Sequence, residues 1–198
     1  GEDEIELVTD ILRDTSVLLI QLEAPMWVSM AAARKAASAN VSVILDPGPA
    51  KPLPKEFYEY CNYITPNETE AWSLVNHSVV DSPSAQKAAE ELTGRGAGCA
   101  IIKMGAQGAY VVQSSKNSSS TSSVRTDRYF PAFSVEAVDT VAAGDAFNGA
   151  LAVAITEGKG MEEAIRWAMA AGAMAVTCAG GQPSMPYRKK VEEFLSSH

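Results

Sequence analysis

The sequence has few cysteines and histidines, no excess of positive charge and no long hydrophobic run. Its three cysteines, Cys61, Cys99 and Cys178, form no Cys-x-x-Cys pair, so they predict reduced, buried thiols rather than disulfides or zinc ligands. Because 24 acidic residues outnumber 16 basic ones, the net charge of −8 argues against a nucleic-acid surface. No apolar segment is long enough to cross a bilayer. We therefore expect a cytoplasmic protein without nucleic-acid or membrane partners, and leave open an organellar targeting segment ahead of residue 1.

Short apolar runs that alternate with helical patterns indicate an α/β fold. Val17–Ile20 and Val41–Leu45 are typical of buried parallel strands, and the Ala-rich segment 25–39 between them is typical of a helix. With 46% hydrophobic residues, residues 1–198 fit a single domain. The sequence therefore predicts a doubly wound, mostly parallel sheet flanked by helices, with ligands at the carboxyl ends of its strands.

The second half of the chain is predicted to be mostly helical. The periodic segments there are 144–156, 161–178 and 188–195. Ahead of them, residues 114–123 are nearly all serine, a composition that predicts a mobile surface loop.

One run, from Val138 to Ala150, carries the clearest chemical prediction. An apolar strand is expected to give way to a helix there, through the small residues Ala142-Ala143-Gly144. Backbone N–H groups at such a helix start can hold phosphate oxygens. Asp145 lies in the same turn, where a carboxylate would repel phosphate, so its better role is to accept a proton from the attacking group. The alternative is that Thr140 or Asp145 merely caps the helix.

The same run resembles the motif of the ribokinase-like sugar kinases, in which Asp-Thr, a small-residue turn, Gly-Asp and an Asn-Gly helix follow in order. Four other segments match that family in the same order, and the resemblance covers almost the whole chain. They are Gln21–Glu23, Asp46–Ala50, Thr65–Glu70 and Gly180–Ser184.

The resemblance implies a ribokinase-like fold that lacks the N-terminal part and the lid of these kinases. It also implies transfer of the ATP γ-phosphate to the 5-hydroxyl of D-ribose, with Asp145 as general base and the amides of Ala142, Ala143 and Gly144 binding the transferred group. Fructose, a 2-keto-3-deoxy sugar acid or a nucleoside are alternative acceptors. Glu23 and Asp145 are the implied sugar contacts, and the alternative for Glu23 is a merely solvated carboxylate at the end of a strand. A homodimer is the implied assembly of the parent enzyme.

The resemblance further implies a nucleotide site with Mg²⁺. Asn67 would contact phosphate and Glu70 would order the water shell of Mg²⁺, while the alternative for both is helix capping. The segment 103–108 would contact the nucleotide, although its glycines are equally typical of a hairpin turn. Met169 stands where the family places an adenine neighbour, and packing is its alternative role. The implied nucleotide contacts are Asn67, Lys103, Gly105, Ala106, Gln107, Gly108, Gly144 and Met169.

A K⁺ site beneath the anion turn is also implied by the resemblance. Its oxygen ligands would be mostly neutral, which suits a large, weakly hydrated ion. They are the Asp139 side chain, the carbonyls of Val141, Ala175, Cys178 and Gly180, and the Ser184 hydroxyl.

A second class of function is a nucleotide-binding module without catalysis. The chain keeps the predicted base, anion turn and cation loop, but the family's main sugar contacts and lid have no counterpart in it. Because positioning and water exclusion contribute much of kinase catalysis, we expect the 198 residues alone to phosphorylate ribose negligibly.

Overall fold

The computed structural model describes residues 8–114 and 127–198. These residues form two compact units. The first comprises residues 8–105, 109–114 and 127–129, and the second comprises residues 106–108 and 130–198. No helix of the described residues is both long and apolar enough to cross a membrane.

A six-stranded sheet organises the first unit, and the strands follow one another across the sheet in chain order. The first four strands are parallel, and β5 runs antiparallel to β4. The strands are β1 (Val17–Gln21), β2 (Ser42–Asp46), β3 (Tyr63–Ile64), β4 (Cys99–Lys103), β5 (Ala109–Gln113) and β6 (Asp127–Phe130), whose last residue is assigned to the second unit.

Helices connect the parallel strands of the first unit. They are α1 (Met26–Ser38), α2 (Lys55–Tyr60), α3 (Glu68–Val75) and α4 (Ser82–Gly94). Apolar side chains from strands and helices meet in one core, in which Phe57, Ile64 and Leu92 are fully buried. Burial of each such side chain is worth about 1.5–3 kcal/mol. The prediction of an α/β fold with a mostly parallel sheet and flanking helices is confirmed.

The second unit is mainly helical. Its helices are α5 (Ala143–Thr156), α6 (Met161–Ala175), α7 (Gly181–Ser184) and α8 (Arg188–Ser197). Leu151 of α5 and Ile165 of α6 are fully buried. The apolar strand predicted directly before α5 is wrong, because residues 131–142 have no regular secondary structure and Val138 and Val141 are exposed.

Cys61 and Cys99 are buried and reduced as predicted, but Cys178 is exposed because it lies beyond the end of α6, so the prediction of a buried thiol is wrong there. The single domain over residues 1–198 stays a prediction. The loop predicted over 114–123 lies, except for Ser114, outside the described residues.

Candidate functional site

Three neighbouring strands of the first unit end at one edge of the sheet, and each places a polar side chain there. β2 ends at Asp46, Asn67 follows β3, and β4 ends at Lys103. The backbone fixes this arrangement, since Lys103 N donates to Pro66 O at 2.8 Å and Asn67 forms a parallel bridge with Lys103. The carboxyl ends of parallel strands are where α/β proteins bind ligands.

Asn67 and Glu70 form a capping box at the start of α3. Asn67 Oδ1 accepts from Glu70 N at 2.9 Å, and Glu70 Oε2 accepts from Asn67 N at 2.8 Å. Capping was the alternative role for this pair, and the structure shows it; their contacts with nucleotide and Mg²⁺ stay predictions. The second carboxylate oxygen is not part of the box and lies beside Gly48, where an added Cβ would stand 3.0 Å from Glu70 Oε1.

A buried ion pair joins the ends of β2 and β4, and sequence reasoning missed it. Lys103 Nζ lies 3.1 Å from Asp46 Oδ1, and the two side chains are 15% and 10% exposed. Gln21 Nε2 donates to the other carboxylate oxygen, Asp46 Oδ2, at 3.3 Å. Asp46 opens one of the segments that match the family, but no role was predicted for it.

The predicted sugar contact Glu23 lies at the same edge of the first unit. It is exposed, in the turn that follows β1. The preceding residue ties this turn to the loop after β2, because Leu22 N donates to Gly48 O at 2.8 Å.

The predicted nucleotide segment joins β4 to β5. Gly105–Gln107 form one turn of 3₁₀ helix, and the two strands pair antiparallel, so the hairpin alternative is what the structure shows. Gly108 has φ +95° and a Cβ there would lie 2.1 Å from Phe130 O. Met169 is buried in α6 at 9% exposure. Contacts of these residues with a nucleotide stay predictions.

The start of α5 has an unusual backbone. Ala142 is the N-cap residue, with φ 62° and ψ 9° in the left-handed region, and its own side chain makes no capping hydrogen bond. The N-cap residue is therefore Ala142 and not Thr140, while capping by Asp145 stays the alternative to its predicted catalytic role. Asp145 is exposed in the first turn. The first amides of a helix lack intrahelical acceptors, so this end of α5 suits an anion.

We expect Ala142→Gly to raise the free energy of unfolding of the chain. A left-handed alanine costs about 1–2 kcal/mol, and glycine loses about 0.5–1 kcal/mol more backbone entropy on folding, which leaves a net gain of about 0.5–1 kcal/mol. The matched control is Ala143→Gly, one residue inside the helix, where glycine should bring no gain. Urea unfolding followed by circular dichroism measures both, and a stability loss at position 142 would contradict the prediction.

Asp139 fastens the residues before α5 to the loop after α6. Asp139 Oδ1 accepts from Val141 N at 3.0 Å, and Asp139 Oδ2 accepts from Gly180 N at 2.8 Å. These amides, Gly180 first, hold the pKa of Asp139 below its ordinary value. The same two segments are also joined by backbone hydrogen bonds, because the N–H groups of Val138 and Asp139 both donate to Val176 O, at 2.7 and 3.1 Å.

The six predicted K⁺ ligands all lie in the second unit: Asp139 and Val141 before α5, Ala175 at the end of α6, Cys178 and Gly180 in the loop after it, and Ser184 in α7. Cys178 N donates to Ala175 O at 3.2 Å, and the buried Ser184 hydroxyl donates to Gly181 O at 2.7 Å. Carbonyl and hydroxyl oxygens with one carboxylate suit a weakly hydrated monovalent cation. Residues 8–114 and 127–198 contain no cluster of three or more His, Cys, Asp or Glu side chains that could hold a metal ion.

Comparison with known proteins decides the family. The model of the pfkB family carbohydrate kinases matches residues 8–188, nearly the whole chain. The chain belongs to the pfkB family. The predicted resemblance to the ribokinase-like sugar kinases is thereby confirmed.

Individual members of the pfkB family show the same relationship. The chain is 40% identical over 184 residues to Haemophilus influenzae ribokinase, covering 93% of this chain and 57% of that protein. The crystal structure of Thermotoga maritima ribokinase is 38% identical with a TM-score of 0.82, over 97% of this chain and 61% of that one. The structure of Arabidopsis thaliana ribokinase complexed with ribose and ATP is 31% identical with a TM-score of 0.83, and the match covers 98% of this chain and 59% of that one. The chain spans about half the length of the curated relatives it matches.

Proposed function

We propose that this protein is an ATP-dependent sugar kinase that transfers the γ-phosphate of ATP to the 5-hydroxyl of D-ribose. The similar ribokinases support this acceptor, and one of them is complexed with ribose and ATP. Fructose, a 2-keto-3-deoxy sugar acid or a nucleoside remain the alternative acceptors. We further propose that the parent enzyme is a cytoplasmic homodimer with sugar and ATP as its ligands.

The start of α5 is the observation that carries the proposal. Asp145 is exposed in the first turn of α5, and the N-cap residue of that helix is an alanine in the left-handed conformation, whose side chain cannot cap the helix. In the proposed reaction it accepts the proton of the 5-hydroxyl as that oxygen attacks the γ-phosphate. The N–H groups of Ala142, Ala143 and Gly144 stabilise the negative charge on the transferred phosphoryl group. Glu23 is proposed to hold sugar hydroxyls.

Residues of the nucleotide segment and of α3 are proposed to bind ATP. Asn67 and Lys103 contact phosphate, the loop 105–108 contacts the nucleotide through its backbone, and Met169 packs near adenine. Glu70 fits Mg²⁺ through water, because a carboxylate oxygen is the ligand type this ion prefers and only one oxygen of Glu70 is engaged in the capping box. When bound, Mg²⁺ neutralises charge on the phosphates.

A K⁺ ion is proposed to be held by Asp139, Val141, Ala175, Cys178, Gly180 and Ser184. The hydrogen bonds from Gly180 and Val141 to Asp139 support this, since they tie the two ligand-bearing segments together. An ion bound there would stiffen the backbone that leads into the left-handed Ala142.

The second candidate function is nucleotide binding without catalysis. This candidate is favoured by how little of a whole ribokinase the chain matches, since only 57% of the length of Haemophilus influenzae ribokinase is covered. We therefore expect the 198 residues alone to bind MgATP and to phosphorylate ribose negligibly. Measurable turnover of ribose by the chain would overturn that expectation.

Asp145→Asn separates a general base from a phosphate ligand. Because the carboxylate repels the γ-phosphate, the variant should bind MgATP as tightly as the unmodified chain or several-fold tighter, measured by calorimetry. Asp14→Asn, at an exposed carboxylate of the first unit, is the matched control and should change nothing. Loss of ATP binding in Asp145→Asn alone would contradict the proposed role.

A hybrid enzyme gives the corresponding measurement of catalysis. In it, this chain replaces the matched part of Haemophilus influenzae ribokinase. Asp145→Asn should then lower kcat for ribose about 10²- to 10⁴-fold with little change in the KM for ATP, as for loss of a general base. An unchanged kcat would contradict the assignment of Asp145.

A further inference from the structure

Two carboxylates and one ammonium gather where β2, β3 and β4 end. Asp46 is buried, and both of its oxygens have partners: Lys103 Nζ at 3.1 Å and Gln21 Nε2 at 3.3 Å. Glu70 reaches the same edge from the first turn of α3, beside Gly48, which stands two residues after Asp46. The cluster therefore carries two negative charges and one positive charge.

The three groups act on one another electrostatically. Partial burial raises the pKa of Glu70, the Asn67 amide and the Lys103 ammonium oppose that rise, and the Asp46 carboxylate adds to it. A carboxylate as buried as Asp46 is costly unless a cation and hydrogen bonds compensate it. At Asp46 that cation is a side chain of the protein.

We infer that the Lys103 ammonium occupies the place of a divalent cation beside Asp46, so that of these two carboxylates only Glu70 is left to attract metal. The inference deepens the proposed use of Glu70 for Mg²⁺ and rests on that proposal for the choice of metal. In the chain without nucleotide, Lys103 contacts no phosphate and acts on metal binding only through Asp46, as a positioning residue. The inference predicts that the chain without nucleotide binds divalent cations weakly.

The chemistry of hard cations gives the size of the effect. Mg²⁺ and Mn²⁺ bind proteins through one or two carboxylates plus water and phosphates. One water-mediated carboxylate without a phosphate makes a weak site. If the Lys103 ammonium is removed, it no longer competes with a metal ion for the Asp46 carboxylate, so that both Asp46 and Glu70 can attract the ion and its affinity rises.

The test measures Mn²⁺ binding to the chain without nucleotide, from the electron paramagnetic resonance signal of free Mn²⁺. Lys103→Met removes the charge and keeps the length of the side chain, and should tighten binding at least about tenfold, which is about 1.4 kcal/mol. The double variant Lys103→Met/Asp46→Asn should lose that gain. Lys51→Met is the matched control, because the Lys51 ammonium donates to the Leu22 carbonyl at 2.6 Å and forms no ion pair with a carboxylate of residues 8–114 or 127–198.

Each outcome decides the inference. Equal Mn²⁺ affinity in Lys103→Met and the unmodified chain, or a gain that persists in the double variant, would overturn it. If Lys103→Met is unfolded without metal, recovery of its far-ultraviolet circular dichroism with millimolar Mn²⁺ would support the inference, and failure to recover would refute it. Because no ATP or sugar is present, this result is separate from the MgATP and ribose measurements that test the proposed function.

Discussion

Gly108→Ala is expected to lower the free energy of unfolding by about 3 kcal/mol or more. The left-handed backbone, φ +95°, costs an alanine about 1–2 kcal/mol. The added methyl group would lie 2.1 Å from Phe130 O and 2.8 Å from Ala132 N, and overpacking of this kind costs about a further 1–3 kcal/mol. Because both neighbours are backbone atoms, neither can rotate away, so the segment that follows β6 must shift.

Gly105→Ala is the matched control in the same segment. Gly105 also has a positive φ, +50°, but the nearest atom to an added Cβ is Glu68 Oε1 at 4.0 Å. It should therefore cost only about 1–2 kcal/mol, the price of the backbone conformation alone. Urea unfolding at equal protein concentration compares the two, and equal losses at positions 105 and 108 would contradict the prediction.

Asp139→Ala is expected to abolish the K⁺ dependence of ATP binding. We expect the chain to bind MgATP at least about tenfold tighter in K⁺ than in Na⁺ buffer, about 1.4 kcal/mol of coupling, within the ordinary range for linked sites. The substitution removes the only proposed carboxylate ligand. It also leaves the amides of Val141 and Gly180 without their acceptor. Calorimetry in the two buffers measures the coupling.

Two further variants separate the charge of Asp139 from its hydrogen bonds. Asp139→Asn keeps one acceptor oxygen and loses the charge, so it should retain more stability than Asp139→Ala while the difference between K⁺ and Na⁺ still falls. Thr140→Ala, at the exposed neighbouring position, should leave that difference unchanged. Persistence of the K⁺ preference in Asp139→Ala would exclude this carboxylate as a ligand. Absence of ATP binding in both buffers would mean that the chain cannot assemble its nucleotide site.

The parallel strands and long helices could be predicted because their sequence patterns are local. The continuous apolar run before Asp46 indicates a buried strand, and β2 has its last four residues buried. The short helices α2 and α7 were missed, since six and four residues show no helical period. α2 is recognisable only in the folded chain, where Phe57 and Tyr58 are buried.

In the candidate site, too, contacts between residues close in sequence could be predicted, and contacts between distant residues could not. Asn67 and Glu70 are one helical turn apart, so their spacing predicts that they meet, and they do. Asp46 and Lys103 are 57 positions apart, and only the strand order brings them together. The left-handed backbone of Ala142 could not be read from the sequence either, because alanine disfavours that conformation.

Ala142 also has a consequence in mutational terms. Alanine and glycine codons differ only in their second base, so one nucleotide change exchanges the residue that stands here for the one its backbone favours. The Ala142 methyl group lies 3.8 Å from the position of a Cβ at Gly181, a contact that a glycine would give up. Selection for stability alone would therefore be expected to replace Ala142 by glycine before it fixes any stabilising substitution that requires two base changes.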